Sequence, residues 1–327
     1  MVMRQVIVTG GLGFIGSHLV DRLCDRGITV TVIDNLSSNV VSPGIYHGRC
    51  SVVTTDVADL VSLKGPADTI FHLASIVGPL RVLKHPGTIL EKTLAATRAV
   101  VAFAETTGAH LIFFSSSEIY GKGGWLHESA PISLPISESP RGQYALAKLR
   151  SEQFVRSRAQ GGRLRATIIR PFNVAGPRQS HEGGFVVARF IRAALRDKPL
   201  TVYGDGTQKR SFVHVADIVA ATLLVAEHEP NCEIFNVGNP HNVLQIHDLA
   251  AHIKALVSCK SPITFVDPHR LHGESYDDGH EKLPIIEKIR QSLGWTPRIS
   301  IDEILADTVA YELSLRGDKI YVAAGYR

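Results

Sequence analysis

Tyr144 and Lys148 stand four residues apart in a run that reads as a helix, which puts a phenol and an ammonium on one face. A neighbouring ammonium favours the phenolate and so lowers the phenol's pKa toward neutrality. A phenolate tuned in this way can take the proton of a substrate hydroxyl while hydride leaves the same carbon. Tyr and Lys at this spacing occur by chance in many chains, so their surroundings decide the matter. Twenty-eight residues before Tyr144, an apolar strand runs into Ser115-Ser116-Ser117-Glu118-Ile119-Tyr120-Gly121. Strand ends of this kind point into the ligand crevice of an open α/β sheet. Ser116 is then placed to bond the reacting oxygen, with Ser117 and Glu118 within reach of the neighbouring carbon. Alone, the same stretch would make an ordinary capped turn of small polar residues.

A hydride needs an acceptor, and the N-terminal residues suggest one. Thr9-Gly10-Gly11-Leu12-Gly13-Phe14-Ile15-Gly16 follows an apolar strand and opens a helix. It satisfies G-x-G-x-x-G through Gly11, Gly13 and Gly16, with Gly10 as a further glycine. Such glycines allow a tight turn, a close approach of backbone to pyrophosphate, and close helix–strand packing. Free N–H groups at the helix N-terminus then face the phosphates. Asp34 ends the second strand, 21 residues after Gly13, where a carboxylate can hold the ribose hydroxyls of an adenosine. That carboxylate repels a 2′-phosphate, so NAD is expected and not NADP, with Gly10, Gly13, Phe14, Ile15, Gly16, Asp34 and Asn35 around it. Asp56-Val57 after the third strand can meet the adenine edge, and Leu73-Ala74-Ser75 after the fourth can line the cleft. The same two groups would also serve as plain turn residues at strand ends.

These residues need a scaffold that gathers strand ends. Gln5–Val8, Thr29–Ile33, Val52–Thr54, Thr69–Leu73, Leu111–Phe114 and Ala166–Ile169 read as buried parallel strands. Ile15–Asp25, Thr88–Thr107 and Tyr144–Gln160 carry the 3.6-residue period of helices packed on a sheet. Alternation of the two predicts an α/β fold: a Rossmann-type doubly wound parallel sheet with a smaller C-terminal α/β substrate lobe. Gly121–Gly124 and Gly161–Gly162 read as loops. After Arg170-Pro171 the helical stretches Phe185–Arg196, Ala216–Glu227, Ile246–Val257 and Ile301–Leu315 are separated by long loops. The expected division is 1–172 with 212–239 for the NAD-binding domain and 173–211 with 240–327 for the lobe. The tail from Gly317 carries no interpretable pattern.

Composition narrows the class. The chain has 327 residues, 44% of them hydrophobic and 20% charged, an ordinary globular balance. Net charge is only +4 and the cations are dispersed, which argues against a nucleic-acid partner. Cys24, Cys50, Cys232 and Cys259 form no C-x-x-C pair, so neither a metal cage nor a disulfide framework is expected. No apolar stretch nears the roughly 18 residues of a membrane span, and no secretory leader is recognisable. A cytoplasmic enzyme is expected, with no membrane partner.

With these motifs in place, nearly the whole chain resembles an extended short-chain dehydrogenase/reductase of the NAD-dependent nucleotide-sugar epimerase/dehydratase family. Arg170-Pro171-Phe172-Asn173-Val174-Ala175-Gly176-Pro177 is similar to the family segment closing over nicotinamide and substrate. The resemblance makes Pro171 a cofactor neighbour and Asn173 a substrate ligand. Tyr203-Gly-Asp-Gly-Thr-Gln-Lys-Arg210 resembles the stretch whose arginine grips a nucleotide diphosphate, and an arginine fork suits that group. Arg210 would otherwise be a surface cation. Phe235-Asn-Val-Gly-Asn239 and Leu293-Gly-Trp-Thr-Pro297 resemble structural landmarks. The helices Thr88–Thr107 and Tyr144–Gln160 resemble the pair that forms a four-helix homodimer interface.

Within the family the likeness is to UDP-glucuronate decarboxylases, including the decarboxylase domain of the bifunctional polymyxin-resistance enzyme. It rests on Ala74-Ser-Ile-Val-Gly-Pro-Leu-Arg81 with His85-Pro86, on Ser116-Ser117-Glu118 with Ser139–Tyr144, and on Asn236–Asn242 with Tyr276–Pro284. It implies a UDP-linked sugar held by Arg81, Ser116, Glu118, Asn173, Tyr203, Arg210, Tyr276 and Lys282. Oxidation at C4 of a glucuronate gives a ketone β to the carboxylate, and such an acid loses CO2 readily. Tyr144 is then the base, Ser116 orients the hydroxyl, and Ser117, Glu118 and a cation handle the carboxylate and reprotonate the enolate. Three positions depart from the pattern: Lys282 for an arginine, Thr93 for an asparagine, and Ser211 for an aspartate. Lysine keeps the charge but loses the bidentate fork, and a lysine there also fits a solvated loop. A 4-epimerase needs only Tyr144, Lys148 and Ser116; a 4,6-dehydratase usually shows an acid pair where this chain has Ser117-Glu118. A non-catalytic NAD sensor would be expected to lack one of these groups.

Overall fold

Parallel strands buried on both faces are largely apolar, and this chain supplies seven parallel strands, of which only the edge strand Ser51–Thr54 has no buried residue among those described. In the computed structural model, which describes residues 3–62, 65–85, 87–121, 123–134, 139–273, 276 and 281–316, they form one sheet. Its order is Glu233–Val237, Arg165–Pro171, His110–Phe114, Thr69–His72, Gln5–Thr9, Thr29–Asp34, Ser51–Thr54, every pair parallel. Chain order reverses between Gln5–Thr9 and Thr69–His72, so connections leave in opposite directions there and open a crevice at the strand C-termini.

Alternation along each strand divides the core in two. Val6, Val8, Val30 and Val32 pack with Leu19, Leu23, Val219 and Leu223 on one side of the sheet, under the helices Phe14–Asp25 and Val215–His228. Ile7, Ile33 and Ile70 pack with Val100, Val101 and Val155 on the other, under Ile89–Thr107 and Pro140–Gln160. A third cluster, built on Phe190, Ile191, Val202, Leu249 and Leu305, holds together the helices Val186–Ala194, Ile246–Leu256 and Ile301–Ser314.

Two differences from the sequence reading matter for the site. The helix carrying Tyr144 begins at Pro140, not at Tyr144. Ser139 caps it, its hydroxyl accepting from Gly142 N at 3.0 Å, and Pro140 fits the first helical position. Arg141 thereby joins the first turn. The glycine-rich stretch at 121–124 is also not all loop, because Gly124–Leu126 is a strand. It pairs with Lys282–Pro284, which pairs with Lys209–Ser211 and then Val243–Gln245 in a four-stranded sheet. Lys122, Pro86, residues 277–280 and the tail 317–327 lie outside the described residues. Among the described residues no helix is long and apolar enough to cross a membrane, and no cluster of His, Cys, Asp or Glu could hold a metal.

Candidate active site

The loop after the first strand follows from its glycines. Gly10 has φ +70°, and a Cβ on it would stand 2.7 Å from Ala74 N. A Cβ on Gly16 would stand 2.1 Å from Gly10 O, so only hydrogen lets the helix press against the turn. No side chain caps the helix at Gly13, which leaves its first amides bare toward the crevice. Asp34 lies beside this turn, its two carboxylate oxygens accepting from Leu12 N at 3.0 Å and Leu36 N at 2.9 Å. Asp56 accepts from Asn35 Nδ2 at 3.0 Å and from Ala58 N at 2.9 Å. The hydroxyls of Ser75 and Ser115 on the crevice wall are sealed from solvent and have no partner among the described residues. A close-approach turn, uncapped amides, a carboxylate and unanswered hydroxyls together fit a bound dinucleotide.

One cavity of about 720 Å³ runs from this turn to the third core cluster. Every residue expected at the cofactor or substrate lines it. Gly10, Gly13, Phe14, Ile15, Gly16, Asp34, Asn35, Asp56, Val57, Leu73, Ala74 and Ser75 are at one end. Ser116, Ser117, Glu118, Tyr144, Lys148 and Pro171 are in the middle, and Arg81, Asn173, Tyr203, Arg210, Tyr276 and Lys282 complete the wall.

At the centre, Ser116 caps a one-turn helix, Ser117–Tyr120, and its hydroxyl accepts from Glu118 N at 3.1 Å. The same hydroxyl lies near enough to the Tyr144 phenol to favour its ionised form. The expectation that Lys148 depresses the phenol is not met by the protein alone. Burial pushes Tyr144 above its ordinary value; Ser116 pulls it down and Glu118 pushes it further up. The Lys148 ammonium instead donates to Phe114 O at 2.9 Å and lies over the Phe113 ring. Burial lowers its own pKa to about 8. Any depression of the phenol must therefore come with ligands.

Lys282 is not a solvated loop lysine. It begins the strand Lys282–Pro284, its side chain is 3% exposed, and its Nζ lies 2.6 Å from Glu118 Oε2. Arg141 Nε reaches the same oxygen at 2.5 Å. Burial alone would raise the Glu118 carboxyl, but Lys282 and Arg141 outweigh it and hold it well below the usual carboxylate range. Burial also lowers Lys282 to about 8, against the pull of Glu118. The trio carries two cations and one anion, a net positive pocket suited to a second carboxylate.

Sequence reasoning passed over Arg141. Its clue was the Ser139-Pro140 helix start, which sets Arg141 three residues before Tyr144 on the same helix face. It also passed over Gln179, whose Oε1 is buried and unpartnered on the cavity wall. Asn173 donates to Ser211 O at 3.0 Å, which fixes its side chain across the cavity floor. Tyr203 and Tyr276 meet edge to face at 5.6 Å.

Known proteins resemble this chain in sequence and fold. The model of the "NAD dependent epimerase/dehydratase family" matches residues 6–238. UDP-glucuronic acid decarboxylase 2 of Arabidopsis thaliana is 33% identical over 91% of this chain, which spans 65% of that protein's length. UDP-N-acetyl-alpha-D-glucosaminuronate decarboxylase of Bacillus cytotoxicus is 31% identical over 96% of this chain and 99% of its own. The crystal structure of UDP-glucose 4-epimerase from Thermotoga maritima with UDP-glucose superposes with a TM-score of 0.85, at 29% identity, covering 95% of this chain and 99% of that one. With a glycine turn and carboxylate that fit its cofactor NAD, this chain belongs to the NAD-dependent epimerase/dehydratase family.

Proposed function

We propose that the chain is a lyase, an NAD-dependent decarboxylase of a UDP-linked uronate that oxidises C4 and releases CO2 to leave a 4-keto-pentose or, after reduction, a xylose. The observation that carries it is the Arg141–Glu118–Lys282 trio beside Tyr144. A neutral hexose, as a simple 4-epimerase takes, leaves the excess positive charge of the trio unanswered, because Glu118 balances only one of its two cations. The decarboxylases among the relatives support the same reading.

The residues divide the work as follows. Tyr144, beside Ser116, receives the C4 hydroxyl proton. When bound, NAD takes up the hydride from C4. Ser116 then donates to the C4 oxygen, where charge accumulates as the carboxylate departs as CO2. Arg141 and Lys282 hold the C6 carboxylate, while Glu118 between them moderates the grip. That moderation matters, because cations that bound the carboxylate too tightly would stabilise the ground state and slow its loss. Lys282, the only one of the two that titrates near neutrality, returns a proton to C5. The division of the chain into 1–172 with 212–239 and 173–211 with 240–327, a homodimer built on the two adjoining long helices, and a cytoplasmic location belong to this proposal.

The test is to incubate the protein with NAD and UDP-glucuronate, following NADH absorbance and product mass together. Loss of CO2 is expected, and accumulating NADH means that the ketone is released. An unchanged mass with a new C4 isomer by NMR would make it an epimerase.

A further inference from the structure

Arg189 lies outside the chemistry described so far. It projects from the first turns of the helix Val186–Ala194 into the far end of the cavity. Its guanidinium lies flat over the Tyr203 ring, with Cζ 4.2 Å from the centroid, and Nη2 donates to Thr201 O at 2.9 Å. Those two contacts fix its plane. Its Nε is sealed from solvent yet has no acceptor among the described residues. A desolvated cationic donor left unanswered is costly, and a protein tolerates one where a ligand supplies the acceptor.

Arg210, expected at the diphosphate, lies beside Lys282 in the four-stranded sheet and lines the same cavity as Arg189, Gln208 and Tyr203. We propose that Arg189 selects the nucleobase of the bound nucleotide, presenting its Nε–H to a carbonyl oxygen of uracil or thymine while Tyr203 holds the guanidinium flat. Adenine answers this donor less well, because it has no carbonyl oxygen and its amino group flanks both N1 and N7. A pyrimidine dione offers carbonyl oxygens, and O4 can be approached from its C5 side, away from the N3–H. The inference rests on the reading of this lobe as a nucleoside-diphosphate site, and not on decarboxylation.

Calorimetry on NAD-loaded protein tests it, with UDP, ADP and inorganic pyrophosphate as probes. Wild type is expected to prefer UDP to ADP. Arg189→Met is expected to weaken UDP roughly tenfold to a hundredfold, the worth of one hydrogen bond to a charged group, and to leave pyrophosphate and NAD unchanged. Arg189→Lys keeps charge without the plane and is expected to lose the UDP-over-ADP preference as well; it carries the test should the methionine variant fail to bind NAD. An unchanged UDP affinity in either folded variant would overturn the inference, as would equal losses for UDP and pyrophosphate, which would make Arg189 a phosphate ligand. Failure of wild type to bind UDP at all would overturn the nucleotide-sugar reading itself.

Discussion

Replacing Lys282 by methionine isolates the electrostatics of the trio. Lys282 Nζ is 2.6 Å from Glu118 Oε2 and almost fully buried, so its removal leaves Glu118 with Arg141 alone and takes the net charge of the pocket from positive to neutral. A substrate carboxylate about 5 Å from the lost charge, at an effective dielectric of about 20, forfeits about 3 kcal/mol. Partial opening of the cavity to solvent trims that to about 2–3 kcal/mol, so kcat/KM for UDP-glucuronate falls by at least roughly 30- to 150-fold, and further because the C5 proton donor is lost too. UDP, which has no carboxylate, is expected to bind within about twofold of wild type by calorimetry. Lys282→Arg restores the charge and is expected to recover substrate affinity, read in KM, while kcat stays low because a guanidinium cannot return the C5 proton. Lys282 and Lys148 both sit at about 8, each lowered by burial, so both lose a proton as pH rises past 8. The wild-type rate therefore falls above pH 8 with a limiting slope near −2 in the logarithm, and the arginine variant, which cannot titrate there, falls with a slope near −1. A methionine variant within threefold of wild type, or one that loses UDP affinity in parallel, would refute the carboxylate pocket.

Further outcomes follow from other contacts. Tyr144→Phe is expected to lower kcat by roughly 10²–10⁴-fold in a steady-state assay while NAD and UDP still bind; undiminished turnover would remove Tyr144 from the role of base. Asp34→Asn removes the charge facing the ribose and is expected to weaken NAD roughly tenfold and raise the NADP/NAD preference by a similar factor, measured by fluorescence titration of both dinucleotides. Glu152→Ala strips the partner from buried Arg170, which it holds at 2.7 and 2.9 Å, and is expected to cost about 3–5 kcal/mol in denaturant unfolding.

The first half of the fold was legible because its strands are buried on both faces and its helices on one. Thr29–Ile33 and Leu111–Phe114 were each within a residue or so of the observed strands, and Ile89–Thr107 began one residue later than expected. What escaped was set by tertiary contact. The four-stranded sheet joins three-residue pieces drawn from four separate regions, too short to carry a period of their own. Glu233–Val237 completes the main sheet, though only its landmark Phe235-Asn-Val-Gly-Asn239 was noticed. At the site, the glycine turn, Asp34, Ser116 and Tyr144 carry their chemistry in their spacing. Arg141 and Lys282 do not: they are 141 residues apart in the chain, and only folding brings both to one oxygen of Glu118. Arg189 was silent for the same reason, since its meaning lies in the Tyr203 ring beneath it.

Ser116 and Glu118 share one rigid turn, tied together by the bond from Glu118 N to the Ser116 hydroxyl. In the proposed reaction the serine faces the oxygen where oxidation occurs, and the glutamate organises the cations that meet the carboxyl two carbons further along the sugar. The turn thus acts as a gauge block, setting the distance between two reaction centres by backbone geometry and not by side-chain choice. A lineage that exchanged residues 117 and 118 while keeping 116 would change what happens after oxidation without disturbing oxidation itself. One short turn would then be enough to separate a decarboxylase from its epimerase and dehydratase kin.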